Sequence, residues 1–209
     1  MSLVNHPAGI YQFLPGIAPY SCGAVAAAGF EIVHTVFQKP VPYRVGFERI
    51  AEHLAAVERP KAALCGIELR SPAPFSFPGF AAFNGEYTTI LKEWGLFVDG
   101  VNPVARTNVA PVMQPPAEPV LYGFSYTRPN AHPPTFVVAG AGELPEGILD
   151  AGSIVARGDT SIDGLKKKAA FVMDLMEARL FCLGADWSRV NAIDVYTVHS
   201  WTRFCRAAC

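Results

Sequence analysis

Between Glu31 and Val57 the hydrophobic period changes from that of a strand to that of a helix, and this change bounds what the chain can fold into. Glu31-Ile-Val-His-Thr-Val-Phe37 is rich in β-branched and aromatic residues, which suit a pleated surface. Pro40 and Pro42 close it, because proline cannot donate to a strand ladder. From Tyr43 onward Phe47, Ile50, Leu54 and Val57 recur at three- and four-residue steps, with Arg44, Glu48, Arg49, Glu52 and His53 between them. That spacing predicts an amphipathic helix. Ala62–Arg70 then reads as a second strand. Strand, helix and strand in that order call for a sheet with helices packed against it, an α+β layer.

The flanking segments extend the pattern. Residues 1–19 hold three prolines and two glycines among apolar residues and read as an irregular lead-in. Residues 24–37 read as two extended segments around a turn at Gly29. Phe80, Phe83, Tyr87, Ile90, Leu91 and Trp94 mark a second helix stopped by Gly95. After Arg106 comes an apolar run, a stiff connector over Met113–Pro119, and a strand over Val120–Tyr126. This first unit is expected to be a mixed sheet backed by two helices on one face.

Thr127–Pro134 is the best boundary in the chain, and beyond it the order restarts. Residues 135–142 read as a strand running into a glycine turn, and Ser153–Arg157 as a short strand. Ile162, Leu165, Ala169, Val172, Met173, Met176 and Leu180 form a helical stripe, capped by Asp159 or Ser161 and stopped by Gly184. Asn191–His199 reads as a strand. A weak internal duplication is the inference: a unit at 1–127 and a second, incomplete one at 135–209.

Composition excludes several classes. Half the residues are hydrophobic and 17% are charged, so the chain is not disordered. The formal net charge is −1 and no basic run exceeds Lys166–Lys168, so nucleic acid is not expected as a main partner. No stretch reaches the roughly 18 apolar residues of a membrane span, and no signal peptide is read, so the expected compartment is the cytoplasm. Cys22, Cys65, Cys182, Cys205 and Cys209 are odd in number, form no C-x-x-C pair, and read as reduced small hydrophobes. The five histidines are dispersed, and no metal site is expected. No P-loop, dinucleotide fingerprint or nucleophile elbow is present, so no cofactor is expected.

One residue stands out. Arg106 lies just past a proline at the start of an apolar run, and the fork of a guanidinium matches the two oxygens of a carboxylate. A surface arginine after a turn is the alternative reading.

Several segments together resemble the Rid family of reactive intermediate deaminases, the RidA/YjgF type. These are Pro19-Tyr-Ser21, Phe83-Asn84 with Tyr87, Pro103-Val-Ala-Arg106-Thr-Asn-Val, Phe136-Val-Val-Ala-Gly140, and the closest match, Gly184–Tyr196. The resemblance implies a chorismate-mutase-like fold, with tandem units assembling around a barrel as a homo-oligomer, a trimer. It also implies ligand clefts between units and hydrolysis of an enamine or imine bearing a small carboxylate. Carried over, Arg106 is the carboxylate receptor, Tyr20 a wall of the site, Asn84 a helix residue beside it, Thr107 the residue after the arginine, and Gly140 a backbone approach.

Departures bear on catalysis. The glutamate that holds the attacking water in proficient members falls at Tyr122, Gly123 or Phe124, none of which is a carboxylate. Glu143 is the nearest replacement by sequence. His34 and His199 are further candidate proton carriers on strands. Phe37 stands where the family's first glycine turn is expected, so an interface of alternating units is expected to unite Arg106 with Gly140 while Phe37 plugs the other. The leading reading is a deaminase, a C–N hydrolase. The alternative is a non-catalytic small-carboxylate-binding or regulatory protein of the same fold.

Overall fold

The computed structural model describes residues 2–148 and 150–199, and these form two compact units, the first ending at Gly140 and the second beginning at Ala141. The first unit is built on the long strand β4 (Phe30–Pro42), which passes without a loop into helix α1 (Tyr43–Ala56). Strand β5 (Leu64–Arg70) follows, then helix α2 (Phe77–Glu93), β6 (Ala105–Val109) and β7 (Val120–Pro129). The sheet order is β4-β7-β5-β6, with β7 antiparallel to both neighbours and β6 parallel to β5. It is a mixed sheet in an α+β unit.

Both predicted helices are present, and both pack on one sheet face. Phe47, Ile50 and Leu54 of α1 and Phe83, Tyr87 and Leu91 of α2 meet Leu64, Ile67, Leu69, Leu121, Phe124 and Tyr126 from the strands. Ser76 caps α2 by accepting from Gly79 N (3.2 Å), a proline sits in its first turn, and Gly95 follows it at φ +69°. Phe37 packs against Phe124 with ring centroids 5.7 Å apart. It turns into this core, so within this unit it does not stand as a plug on the opposite face.

The lead-in is ordered rather than irregular. Strands β1 (Val4–His6), β2 (Tyr11–Leu14) and β3 (Gly23–Ala26) form a second sheet, completed by β8 (Phe136–Val138) in the order β1-β2-β3-β8. The strands are short and separated by Pro/Gly turns, which hid their alternation. Because β8 pairs with β3, the segment read from sequence as opening the second unit is built into the first, as far as Gly140.

In the second unit helix α3 (Ile162–Cys182) is capped by Ser161 Oγ, which accepts from Gly164 N (3.1 Å), and is followed by Gly184 at φ +71°. Ser153–Arg157 forms turns rather than a strand. Asn191–His199 forms no strand among the described residues, and Ile193, Val195, Tyr196 and Val198 are all exposed. Its β propensity finds no neighbouring strand among the described residues, and a strand needs a ladder partner. Residues 201–209, where the sequence places Cys205 and Cys209, lie outside the described residues. No helix is long and apolar enough to cross a membrane among the described residues.

Candidate active site

Strand alternation decides where each polar side chain of the main sheet points. Arg106 is paired in register with Ile67, whose side chain is in the helix-side core, so Arg106 faces α2. There Nη1 donates to Asn84 Oδ1 at 2.6 Å, and the guanidinium carbon lies 4.9, 5.0 and 5.7 Å from the ring centres of Tyr87, Tyr20 and Phe80. Arg106 is only 4% exposed, and among the described residues no carboxylate pairs with it. Burial lowers its pKa, with the phenols of Tyr87 and Tyr20 opposing that shift. A cation held this way is stabilised by ring quadrupoles and one amide, without a counter-charge.

The backbone around it is fixed from two sides. Ser21 N donates to Val104 O (2.9 Å) and Ser21 Oγ to Pro103 O (2.9 Å), which seats Tyr20 beside the arginine. Asn102 Oδ1 accepts from Val104 N (3.0 Å) and ties the turn before β6. Tyr87 is fully buried, and its hydroxyl has no hydrogen-bond partner among the described residues.

Thr107 faces the other way, in register with Glu68 of β5, which is itself in register with Gly123 of β7. Gly140 lies next to Thr107: a β-carbon on it would stand 3.5 Å from Thr107 Oγ1. The sequence reading placed Gly140 near Arg106 across an interface of units; the structure sets it beside the residue after Arg106 in the same unit. Glu143 belongs to the second unit, where Lys168 Nζ pairs with it at 3.0 Å. Partial burial pushes its carboxyl up, but its own backbone N–H and Lys168 outweigh this and hold it below the ordinary value.

The open face carries a polar cluster that the sequence did not reveal as such. His34 Nε2 lies 2.7 Å from Glu68 Oε1, and Arg70 Nη2 3.4 Å from Oε2. The Arg70 guanidinium lies 4.0 Å from the Tyr122 ring centre. Burial pushes the Glu68 carboxyl up, yet the hydrogen bond and charge of His34, with Arg70, outweigh it and hold the pKa below the ordinary glutamate value. The alternation Glu68-x-Arg70 was the available signal, but it looks like any solvated strand face until the register with Gly123 is known. Among the described residues no group of three or more His, Cys, Asp or Glu is arranged to hold a metal ion.

The sheet thus carries a buried arginine walled by aromatics on its helix side and a carboxylate–histidine pair on its other face. The chain belongs to the 2-aminomuconate deaminase family, a family of the RidA/YjgF type, which matches residues 3–208. It is 42% identical over 203 residues to the 2-amino-5-chloromuconate deaminase of Comamonas testosteroni, covering 95% of this chain and 80% of that protein. No solved structure matches.

Proposed function

We propose that the chain is a deaminase of 2-aminomuconate-type substrates, six-carbon unsaturated dicarboxylates with an amino group on the carbon next to one carboxylate. The observation that carries this reading is the buried guanidinium of Arg106, which has no acidic partner among the described residues and is framed by Asn84, Tyr20, Phe80 and Tyr87. A buried charge is costly unless compensated, and a substrate carboxylate supplies the compensation. Such an anion also offers an acceptor to the unpartnered Tyr87 hydroxyl.

The chemistry is hydrolytic. The enamine takes a proton on carbon and becomes a C=N imine. Water adds to the carbon that bears the nitrogen, forming a C–O bond, and the C–N bond of that carbon then breaks. Ammonia leaves with the protons, and a 2-oxo dicarboxylate remains. Arg106 holds the adjacent carboxylate, which orients the reacting carbon and favours the electron-poor imine for attack. The same reading takes the first unit as chorismate-mutase-like, with copies of the chain assembling as a trimer.

The test is ammonia release from freshly generated 2-aminomuconate, followed together with loss of the diene absorbance. Wild-type protein is expected to accelerate both, and Arg106→Met to do so about 10- to 100-fold less efficiently. Ammonia release no faster than in buffer would overturn the reading.

A further inference from the structure

The flank of helix α2 that holds Arg106 continues toward the helix C-terminus as a polar row. Asn84, Thr88 and Lys92 follow one another at four-residue steps, which sets them on one side of the helix on successive turns. Asn84 Oδ1 accepts from Arg106, and Thr88 Oγ1 donates to the Asn84 carbonyl (2.8 Å). Thr88 and Lys92 then line a cleft of about 370 Å³ together with Ala18, Phe97 and Gly100. Lys92 is exposed and pairs with no carboxylate among the described residues. Its Nζ lies 5.5 Å from the centre of the Phe97 ring.

The arginine and the cleft share a second wall. The turn over 17–20 is closed by Tyr20 N donating to Ile17 O (3.0 Å), and it sets Ala18 in the cleft and the Tyr20 ring on the Arg106 guanidinium. Two separate elements, α2 and this turn, thus run from Arg106 into the cleft. The tight reversal over 98–101 completes it: Asp99 and Gly100 take positive φ (49° and 80°), and Val98 and Val101 exchange backbone hydrogen bonds of 3.0 and 2.8 Å.

Length decides what such a row can hold. Lys92 lies two four-residue steps beyond Asn84, roughly 12 Å along the helix axis. An extended six-carbon dicarboxylate, with a guanidinium against one end and an ammonium against the other, spans that separation. A lysine is a compact charge on a flexible stem, suited to an anion that needs attraction more than a fixed fork.

Resting on the deaminase reading, we propose that Lys92 determines specificity by receiving the second carboxylate of the substrate, the one remote from the amino group. Arg106 holds the first, and the carbon chain lies along the Asn84–Thr88 flank beside the 17–20 turn. The cleft thereby selects dicarboxylates over monocarboxylates of the same length.

The experiment is titration calorimetry with muconate and with hexa-2,4-dienoate, which keeps the six-carbon diene but has one carboxylate. Both are titrated into wild type, Lys92→Met, Lys92→Arg and Arg106→Met, with thermal midpoints and wild-type ammonia release measured alongside. Wild type is expected to bind muconate at least about tenfold more tightly than the monocarboxylate, on the scale of a hydrogen bond to a charged group. Lys92→Met should bring the two affinities within about threefold by weakening muconate alone, whereas Lys92→Arg keeps the charge and most of the preference. Arg106→Met should weaken both ligands. A lysine that only complements the carbonyl end of α2 would, on removal, lower the thermal midpoint and leave the preference intact. That result overturns the role of Lys92, as does a wild type that binds both acids equally or neither. Wild type that releases no ammonia from 2-aminomuconate overturns the deaminase reading instead, whatever the affinities.

Discussion

Arg106 Nη1 donates to Asn84 Oδ1 at 2.6 Å, a charged donor on a neutral acceptor inside a wall of three aromatic rings. The choice of amide over acid leaves the positive charge uncompensated. Asn84→Asp would supply an internal counter-ion at the same distance. We expect this variant to unfold at higher temperature and to bind substrate at least tenfold more weakly, because its own carboxylate competes for the guanidinium. Thermal melts and KM on the same preparation check both halves.

The arginine itself is predicted to serve binding at little cost to the fold when removed. Arg106→Met keeps the side-chain length and removes the charge. The loss in kcat/KM is expected to be about 10- to 100-fold, following the roughly 1.5–3 kcal/mol of a hydrogen bond to a charged group. The thermal midpoint should change little or rise, since a buried cation without an acid partner is replaced by an apolar chain. A steep fall in stability would show that the rings and Asn84 alone fully compensate the charge.

Tyr87 gives a related expectation. Its ring fills the core while its hydroxyl is buried without a partner, and burial raises its pKa. Tyr87→Phe should stabilise the substrate-free protein by about 1 kcal/mol, or roughly 2–4 °C in Tm for a chain of this size. The gain should shrink when a carboxylate ligand is present, which differential scanning with and without ligand will show.

The Glu68 pair also sets a pH dependence of stability. The folded-state pKa of Glu68 is depressed relative to its unfolded value. Its contribution is therefore fully present above the ordinary glutamate range and is lost as the pH falls through the folded value. Wild type should be more stable than Glu68→Gln at neutral pH, and the gap should close in acid. Denaturant midpoints at neutral and acid pH measure it; a gap that widens in acid contradicts the assignment.

Gly46 tests how tightly α1 lies on the sheet. A β-carbon there would fall 2.6 Å from Leu121 Cβ, nearer than real contacts allow. Gly46→Ala would ordinarily gain up to about 1 kcal/mol of helix propensity. Here it is expected to destabilise, by the roughly 1–3 kcal/mol of an overpacked core, visible as a lower urea midpoint at unchanged slope.

The helices and the central strands could be read from sequence because their apolar positions are dense: Phe47, Ile50 and Leu54 repeat on one face of α1, and Phe124 and Tyr126 fall two apart on β7. Arg106, Asn84 and Tyr20 were legible as a set and do converge. Strands β1 and β2 were not, since each spans only three or four residues between turns. Glu68 escaped because its meaning depends on register. Two irregularities in the β5–β7 pairing decide that Gly123 stands opposite it, and no local pattern encodes them. Asn191–His199 shows the converse, a strong strand propensity with no ladder to join among the described residues.

The seam between the two sheets carries a kinetic consequence. Thr127 Oγ1 donates to Gly9 O across 118 residues of sequence, His6 meets Leu96 O across 90, and Ser21 seats Tyr20 beside Arg106 from the far end of the unit. These contacts need the chain to have been made as far as Leu96, Pro103 and Thr127 and to have closed back on the lead-in. Long-range closure slows folding. Tyr20 should therefore join Arg106 late, and this wall should be missing from partly folded species in which the lead-in has not yet closed onto β6.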